Sequence, residues 1–303
     1  MRTAARWVLR VAVVLLVVLA IAAVIVFAMT QARLTHSYAI AAETVAIPSD
    51  AAALERGKHV ATISGCVDCH DPDLAGRIFF ENAMVGRFVA SNLTRGTGGV
   101  GGRFADADWI RAIRHGVRPD GKPLLVMPAK EYFGLSDDDL GALIGYLKSL
   151  PPADRELPRS SVSPMGRVLM VALKDMAILS AERIDHAGPR PPAPPPGITL
   201  EYGAYLAVRC TGCHGDTLSG GHIPGTPPDW PPAANLTPEP GAAGAVWTEA
   251  QFTHAMRTGM TPSGKQLDRK YMPWPVLGQM TDDELKALWM YLRSAPAKAY
   301  GNR

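Results

Sequence analysis

The sequence has 303 residues, of which 47% are hydrophobic, and this length suits two compact domains of about 110 residues each. The formal net charge is only +3 and the basic residues are scattered, which argues against a nucleic-acid-binding protein, since that would need a basic stripe. The 29 glycines and 26 prolines indicate small, loop-rich domains wrapped around a cofactor rather than a disordered chain.

The first predicted element is a membrane-spanning helix. An uninterrupted apolar run covers residues 11–29, with arginines at positions 2, 6 and 10 before it and Arg33 after it. At a rise of about 1.5 Å per residue, the run reaches roughly the thickness of the hydrocarbon core of a bilayer. The arginines before the run predict that the N-terminus stays inside and that the rest of the chain is exported. Residues 1–33 are therefore predicted to anchor the chain in a bacterial inner membrane as a single pass.

A cleaved signal peptide is the alternative interpretation of this segment. Ala39-Ile40-Ala41 resembles a cleavage site, but it lies further beyond the apolar run than such sites normally do. The run is also longer than the apolar region of a typical signal peptide, which has about 7–15 residues. Retention of the helix is favoured, and under either interpretation the remaining chain faces the periplasm.

Two copies of the pattern C-x-x-C-H follow the apolar run, as Cys66-Val-Asp-Cys69-His70 and Cys210-Thr-Gly-Cys213-His214. Two thiols on one helical turn can each add to a vinyl group of a haem, while the adjacent imidazole binds the iron. The chain contains only four cysteines, and the two motifs use all of them. The sequence therefore predicts two covalently bound haem c groups, with His70 and His214 as iron ligands.

Two other interpretations of C-x-x-C fit less well. A thioredoxin-like redox pair would need one motif in a βαβ setting and gives no reason for the histidine after each pair. A structural zinc site would draw its ligands from motifs near one another, whereas here each pair lies in its own copy of a repeat. Haem attachment is favoured over both.

The two motifs belong to an internal repeat. Residues 74–151 align with residues 218–296 almost without gaps, so that Asn92-Leu-Thr matches Asn235-Leu-Thr and Met127-Pro matches Met272-Pro. The same module therefore occurs twice. The predicted domains are residues 48–157 and residues 198–299, joined by a helical and proline-rich linker over residues 158–197.

Each module is predicted to be all-α. A short helix over about residues 51–64 leads into the first haem motif, and Gly57 or Gly203 allows close contact with another helix. A middle helix is predicted over residues 106–114 and 248–257. Ser136 and Thr281 are hydroxyl N-caps followed by acidic residues, so each begins a last helix, which Pro151 or Pro296 ends. No convincing alternating strand pattern is present.

The linker contains an apolar stretch over residues 165–184, followed by a proline-rich stretch over residues 190–196. Lys174 and Asp175 interrupt the apolar stretch, and a charged pair is costly inside lipid. We expect a helix that packs along the modules, a partner protein or the membrane surface, followed by a stiff polyproline spacer. The sequence does not indicate which of these three surfaces the helix contacts.

The repeat also selects the second axial ligand of each iron. Of the 12 methionines, only Met127 and Met272 face one another when the modules are aligned, and each precedes a proline. Thioether ligation would saturate the iron and raise its reduction potential. Met127 and Met272 are therefore predicted as axial ligands, while unmatched residues such as Met84, Met256 and His115 are predicted to be packing or surface residues.

Asn92 and Asn235 are predicted to hydrogen-bond a haem propionate from matching loops, with a plain turn as the alternative. Each also fits the N-x-T pattern of glycosylation, an interpretation that a bacterial source disfavours. Arg114 and Arg257 match as well, and either propionate contact or exposure to solvent is possible for them, with exposure the commoner outcome for arginine.

With these motifs in view, both modules resemble class I cytochromes c, and above all the haem domains in the cytochrome c subunits of membrane-bound alcohol, sugar and gluconate dehydrogenases. The resemblance covers residues 51–154 and 200–295. It implies three to five helices around each haem, with the first and last helices crossing, and electron relay from a periplasmic dehydrogenase towards quinone or a terminal oxidase. Those subunits usually carry three haem modules, whereas this chain has two and an N-terminal anchor.

The predicted function is a membrane-anchored dihaem cytochrome c that relays electrons between a dehydrogenase, or another respiratory donor, and an acceptor such as a terminal oxidase, without a substrate of its own. One alternative is a dihaem enzyme of the peroxidase or thiosulfate-oxidising type, which would need an open or unusual ligand site. Another is a haem-based sensor in which Met127 or Met272 swings away. The modules differ most over residues 221–233, where an asymmetric function would lie.

Overall fold

The structure, a computed structural model, describes residues 2–173, 178–190, 193–227 and 229–303. The first element is a long helix, α1 (Arg2–Leu34), in which residues 3–25 are all exposed. Two helical modules follow, each built around one C-x-x-C-H motif. The predicted all-α class is confirmed as the dominant architecture, and one small sheet is added to it.

The first module contains five helices in the predicted order. They are α2 (Ala51–Ile63), α3 (Cys66–His70), α4 (Asp106–His115), α5 (Ala129–Tyr132) and α6 (Asp137–Ser149). The Asp50 side chain caps α2 and the Ser136 side chain caps α6, as their carboxylate and hydroxyl acceptors favour. The apolar faces of these helices meet in one core that includes Trp109, Ile110, Leu140, Leu143 and Ile144.

The second module repeats this arrangement. Its helices are α8 (Leu200–His214), α9 (Ala243–Val246), α10 (Glu249–Thr258), α11 (Trp274–Leu277) and α12 (Asp282–Ser294). Helix α8 runs without a break through the second motif, whereas in the first module Gly65, with a φ of 73°, separates α2 from α3. Thr281 and Glu284 form a full capping box at the start of α12.

The first and last helices of each module cross at a glycine. A methyl group on Gly57 would lie 2.0 Å from the carbonyl oxygen of Ala142, and one on Gly203 would lie 2.1 Å from that of Ala287. Only a residue without a side chain lets the two backbones approach this closely. The predicted contact role of both glycines, and the crossing that the family resemblance implied, are confirmed.

The expectation that no strands are present is wrong for the first module. Strands β1 (Arg77–Asn82) and β2 (Gly86–Ala90) form a hairpin, and β3 (Ser161–Val162) adds a short third strand to β2. Strand β1 carries side chains that are almost all exposed, so it lacks the alternation of buried and exposed residues that would have indicated a strand. In the second module the matching loop is closed by one bridge between Gly221 and Ala233.

The predicted linker helix over residues 165–184 is shorter than expected. Helix α7 (Pro164–Ala172) ends at Leu173, and a 3₁₀ helix follows at Ser180–Arg183. Lys174 and Asp175, which suggested an interruption, lie outside the described residues, as do the first prolines of the predicted spacer.

The segments that precede and follow the predicted domain 48–157 in sequence both pack against it. Val45 and Ile47 enter its core from the N-terminal side. From the C-terminal side, Met170, Ile178 and Leu179 form a separate cluster with Phe88 of the hairpin. The linker therefore folds onto the first module instead of running free between the two modules.

Candidate haem sites

The first candidate haem site is an open cavity in the first module, with about 1020 Å³ of empty space when the part open to solvent is included. Cys66, Cys69 and His70 line it because α3 carries the whole motif within little more than one turn. Met127 lines the same cavity from the segment that precedes α5. The remaining lining is mainly apolar and includes Val89, Leu93, Phe104, Trp109, Ile113 and Leu143. A lining of this polarity suits a mainly apolar ligand.

The second candidate site is a larger open cavity, with about 1710 Å³ of empty space when the part open to solvent is included. Cys210, Cys213, His214 and Met272 line it. Part of its lining is polar, with Thr261, Ser263, Lys265, Gln266 and Asp268. The sequence comparison did not anticipate this difference, because the Gly-Lys pair at residues 264–265 recurs at residues 121–122 without lining the first cavity. The second cavity is therefore the larger and the more polar of the two.

A backbone carbonyl orients each motif histidine. His70 Nδ1 lies 2.7 Å from the carbonyl oxygen of Ser91, and His214 Nδ1 lies 2.7 Å from that of Ala234. Because a carbonyl can only accept, Nδ1 carries the proton and Nε2 keeps its lone pair. Burial lowers the pKa of both imidazoles and so favours their neutral form. A neutral imidazole held in this way presents Nε2 for iron.

The matched methionines and the motif histidines line the same cavities, while most unmatched candidates lie elsewhere. Met84 is 63% exposed, and Met280 is fully buried in the core of the second module. His115 is also buried away from the cavities, 2.6 Å from Glu43 Oε1. Among the described residues, Met256 is an exception, since it lines the second cavity as its counterpart Ile113 lines the first. Axial ligation by Met127 and Met272 stays a prediction.

The cysteines fit attachment to haem better than redox or zinc chemistry. All four are unpaired thiols in the structure. Burial raises the pKa of Cys66 and of Cys210 to about 12, which disfavours the thiolates that exchange and zinc binding require. Across the described ranges, no three His, Cys, Asp or Glu side chains are grouped to hold a metal ion. Two thiols, an oriented imidazole and a thioether around an apolar cavity therefore fit haem, which supplies reversible one-electron chemistry when bound.

Asn92 and Asn235 make matching hydrogen bonds within the protein, and their contact with a haem propionate stays a prediction. Asn92 Nδ2 donates to the carbonyl oxygen of Ala153 at 2.7 Å, and its Oδ1 accepts from both the amide and the hydroxyl of Thr94. Asn235 makes the same contacts, with Lys298 as the carbonyl partner at 2.8 Å. These hydrogen bonds connect each loop to the chain that follows the last helix. Neither asparagine lines a cavity.

The matched arginines are also structural. Arg114 is fully buried, against the expectation of exposure, because its guanidinium pairs with Glu43 at 2.7 Å and with Asp137 at 2.5 Å. Arg257 pairs with Asp282 at 2.5 Å. Asp137 and Asp282 are the first residues of the last helices, so each arginine joins the middle helix to the start of the last one.

The two modules contact each other through equivalent elements. Helix α5, which follows the first Met-Pro pair, packs against α8, which carries the second motif. Helix α11, which follows the second Met-Pro pair, packs against α2 of the first module. The interface is therefore nearly isologous, as in a twofold-symmetric dimer. It brings the chain around each haem motif against the neighbouring module.

One residue breaks this symmetry next to the second motif. Glu131 of α5 lies against Gly212, so that a methyl group on Gly212 would be 2.2 Å from Glu131 Oε1. Its counterpart in α11 is the apolar Val276. Burial raises the pKa of the Glu131 carboxyl to about 7, although Lys130 and Arg209 oppose this shift. An acidic group at the edge of the second haem site is thus a feature that the motifs alone did not predict.

Comparisons with known proteins agree with this arrangement. Residues 200–296 match the family described as "Cytochrome c", and residues 52–147 match "Cytochrome C oxidase, cbb3-type, subunit III". One of the subunits of the nicotinate dehydrogenase of Pseudomonas putida is 28% identical over 70% of this chain and 18% of its own length. The cytochrome c subunit of the alcohol dehydrogenase (quinone) of Gluconacetobacter polyoxogenes is 26% identical over 82% of this chain and 57% of its own length.

A further relative is similar in length to this chain. The diheme cytochrome c-type protein of Cereibacter sphaeroides is 26% identical over 80% of this chain and 86% of its own length. By contrast, the chain spans little more than half of the alcohol dehydrogenase subunit and about a fifth of the nicotinate dehydrogenase subunit. Each family match covers one of the two modules, and the chain belongs to the c-type cytochromes, with two domains that each carry one covalently bound haem c.

Proposed function

We propose that this protein is a membrane-anchored, periplasm-facing electron relay with two hexacoordinate haems, ligated by His70 and Met127 in the first module and by His214 and Met272 in the second. Such iron has no open position for a substrate, so the protein passes electrons without transforming a molecule of its own. Thioether ligation raises the reduction potential of each haem and suits it to accept electrons from a dehydrogenase.

The observation that carries this proposal is the content of the two cavities. Each combines a histidine whose Nδ1 is held by a backbone carbonyl with the one methionine that occupies the same position in both modules. A relay also needs cofactors that lie close together. The packing of α5 against α8 supports this, because it sets Glu131 of the first module against Gly212 within the second motif.

Contacts at the base of α1 support retention of the anchor. The amide of Tyr38 donates to the carbonyl oxygen of Gly121 at 2.9 Å, just before the alternative cleavage site. Glu43, just after that site, pairs with the buried Arg114. Helix α1 itself has a mean hydropathy of 3.4 over its most apolar stretch and buries none of it against the rest of the protein. A retained, lipid-exposed helix accounts for both features.

The names of the relatives support a dehydrogenase as the electron donor. The matched proteins of Pseudomonas putida and Gluconacetobacter polyoxogenes are named as subunits of nicotinate dehydrogenase and alcohol dehydrogenase (quinone). The present chain covers only part of each, so the identity of its own dehydrogenase is left open. In this proposal the electrons leave towards a quinone or a terminal oxidase.

Optical spectroscopy of the purified protein tests the ligands. Spectra of the oxidised and reduced forms, with and without carbon monoxide, would be recorded for wild type, Met127→Ala and Met272→Ala. We expect each substitution to remove about half of the weak methionine-to-iron charge-transfer band and to allow carbon monoxide to bind one haem. Met84→Ala is the matched control, since Met84 is 63% exposed and lies outside both cavities.

Binding of carbon monoxide to one haem of the wild-type protein would contradict the proposal. The enzyme or sensor interpretation would then take its place, and the larger second cavity would be the first site to examine. A charge-transfer band that survives either substitution would show that another residue ligates that iron. Met256 would be the next methionine to test, because it also lines the second cavity.

A further inference from the structure

A hydrophobic cluster beside the first haem site is built from three distant parts of the chain. Its partly buried members Phe79, Leu125 and Val126 also line the first cavity. Phe88 of the hairpin, Met170 of α7 and Ile178 of the linker form its buried centre. Leu34, the last residue of α1, packs against it. The cluster therefore connects the end of the proposed anchor to the first haem module.

Helix α7 presents one face to this cluster and another to the outside. Gly166 and Met170 are buried, and a methyl group on Gly166 would lie 2.1 Å from the carbonyl oxygen of Val85. Met165 and Val168, spaced like residues on one face of a helix, are 45% and 43% exposed. The outer face of α7 is therefore apolar and uncovered.

The turn of the β1–β2 hairpin extends this exposed apolar surface. The hydroxyl of Ser163, the N-cap of α7, donates to the carbonyl oxygen of Met84. Met84 is 63% exposed, and Leu173, at the other end of α7, is 42% exposed. Met84, Met165, Val168 and Leu173 together are called the α7 face below.

Polar contacts hold α7 to the end of α1. Arg167 donates from Nη1 to Thr30 Oγ1 at 2.8 Å and from Nη2 to Gln31 Oε1 at 3.0 Å. Its guanidinium also lies 4.6 Å from the centre of the Phe27 ring. From the other side, Arg33 Nη1 donates to the carbonyl oxygen of Met170 at 2.8 Å. These hydrogen bonds place α7 beside residues 30–33, at the C-terminal end of α1.

The position of residues 30–33 along α1 corresponds to the surface of a bilayer. Residues 30–33 directly follow the apolar run of α1, and residues 3–25 of the helix are exposed. A membrane-water interface is where arginine and amide groups meet the headgroups while neighbouring apolar side chains enter the acyl boundary. Helix α7 has this division, with Arg167 turned to the end of α1 and the α7 face turned outward.

We propose that the α7 face rests on the lipid bilayer beside the point where α1 leaves it, and so seats the first haem module on the membrane surface. The proposal depends on the proposed function, because it requires α1 to be a retained anchor. A bilayer is favoured over a protein as the occupant because the face is continuous with α1, whose own exposed side chains need lipid around them. The haem sites then stand at a defined height above the membrane.

Lipid-confined photolabelling of the full-length protein tests this proposal. The holoprotein would be reconstituted in phosphatidylcholine–phosphatidylglycerol nanodiscs, a diazirine probe restricted to the acyl region would be activated, and labelled peptides would be identified by mass spectrometry. We expect labelling of α1 and also of residues 164–173. The peptide around Val246, which is 59% exposed but lies in the second module, should carry several-fold less label.

Two matched variants test whether the labelling of residues 164–173 depends on the α7 face. Val168→Glu should abolish the labelling of residues 164–173 and leave that of α1 unchanged, because a carboxylate resists entry into the acyl region. Val246→Glu should change neither signal. The visible haem spectrum of both variants should match wild type, which would show that each has folded.

The outcomes separate this inference from the proposed function. Labelled α1 with unlabelled α7 would overturn the seating on the membrane, would indicate a protein partner for the α7 face, and would leave the anchor intact. An unlabelled α1 would overturn the anchor itself. Labelling of residues 164–173 that persists unchanged in Val168→Glu would also overturn the proposal, because the label would then not report contact through this face.

Discussion

The phenol of Tyr205, on α8 of the second module, donates a hydrogen bond of 2.5 Å to the Asp139 carboxylate of the first module. In the reverse direction, Nε2 of His59, on α2 of the first module, lies 2.8 Å from a carboxylate oxygen of Glu284, on α12 of the second module. Asp139 and Glu284 are both the third residue of a last helix, and His59 and Tyr205 both lie two positions after the glycine at which the helices cross. The two modules are thus joined by two contacts at equivalent positions, each between a side chain of one first helix and a carboxylate of the other module's last helix.

Tyr205→Phe should destabilise the protein by about 1.5–3 kcal/mol, the typical value for a hydrogen bond to a charged group. Asp139 is only 3% exposed, so its carboxylate cannot recover the lost bond from water, and only the pair with Arg56 would remain. The measurement is urea-induced unfolding of the holoprotein. Tyr300→Phe is the control, since Tyr300 is 59% exposed, and an equal loss in both variants would contradict the assigned role of Tyr205.

Gly57→Ala should be destabilising although alanine is the better helix former. Intrinsic propensity would favour alanine by about 1 kcal/mol. However, the new methyl group would lie 2.0 Å from the carbonyl oxygen of Ala142, so α2 and α6 would have to separate, and overpacking of this kind costs about 1–3 kcal/mol or more. We expect a lower melting temperature, measured by circular dichroism.

Gly102→Ala is the matched control for this change. A methyl group on Gly102 would meet only the carbonyl oxygen of Arg95, at 3.8 Å, which is an ordinary contact. This variant should melt at the wild-type temperature. A Gly57→Ala protein that is as stable as the control would show that the helices do not cross as closely as the structure indicates.

Asn92→Leu distinguishes the structural role of this amide from the propionate contact expected from sequence. The change leaves the buried amide of Thr94 without its acceptor, which costs about 1–3 kcal/mol. It also removes the 2.7 Å bond to the carbonyl oxygen of Ala153, which keeps a longer bond of 3.2 Å from the Thr94 hydroxyl. We expect reduced stability and an unchanged midpoint potential of the first haem. A shifted potential at wild-type stability would restore the propionate role. Asn302→Leu, at an exposed position, serves as the control.

Glu131 should make stability depend on pH. Burial raises the pKa of its carboxyl from 4.5 to about 7, so between these values the unfolded chain releases a proton that the folded protein retains. Stability should therefore fall as the pH rises through this range and then level off. Glu131→Gln should remove this fall and be the more stable protein at pH 8, with a smaller difference at pH 5.

Denaturant unfolding across this pH range measures the effect. Glu55→Gln is the control, because Glu55 is exposed on α2 and its substitution should leave the pH profile of the wild-type protein unchanged. Parallel profiles for wild type and Glu131→Gln would show that the Glu131 carboxyl is not held in its neutral form between the modules.

The sequence alone determined the chemistry of this protein. The two C-x-x-C-H motifs and the capped last helices are local patterns, and each depends on the spacing of residues along one helix or turn. The repeat that pairs Met127 with Met272 needs only an alignment of the chain with itself. These patterns predicted the haem groups, the helical modules and the glycines of close helix contact, whereas the crossing of the helices was implied by the family resemblance.

Only the tertiary structure decided what the remaining polar residues do. Asn92 and Arg114 were matched in the repeat, yet their partners Ala153 and Glu43 lie far away in sequence, so periodicity could not identify them. The sequence left open whether the linker helix packs on the modules, a partner or the membrane surface. The bonds of α7 to Thr30 and Gln31 arise only where α1 and the linker meet in space. Hydrogen bonding and burial of these groups depend on contacts between distant segments, which a repeat in the sequence does not encode.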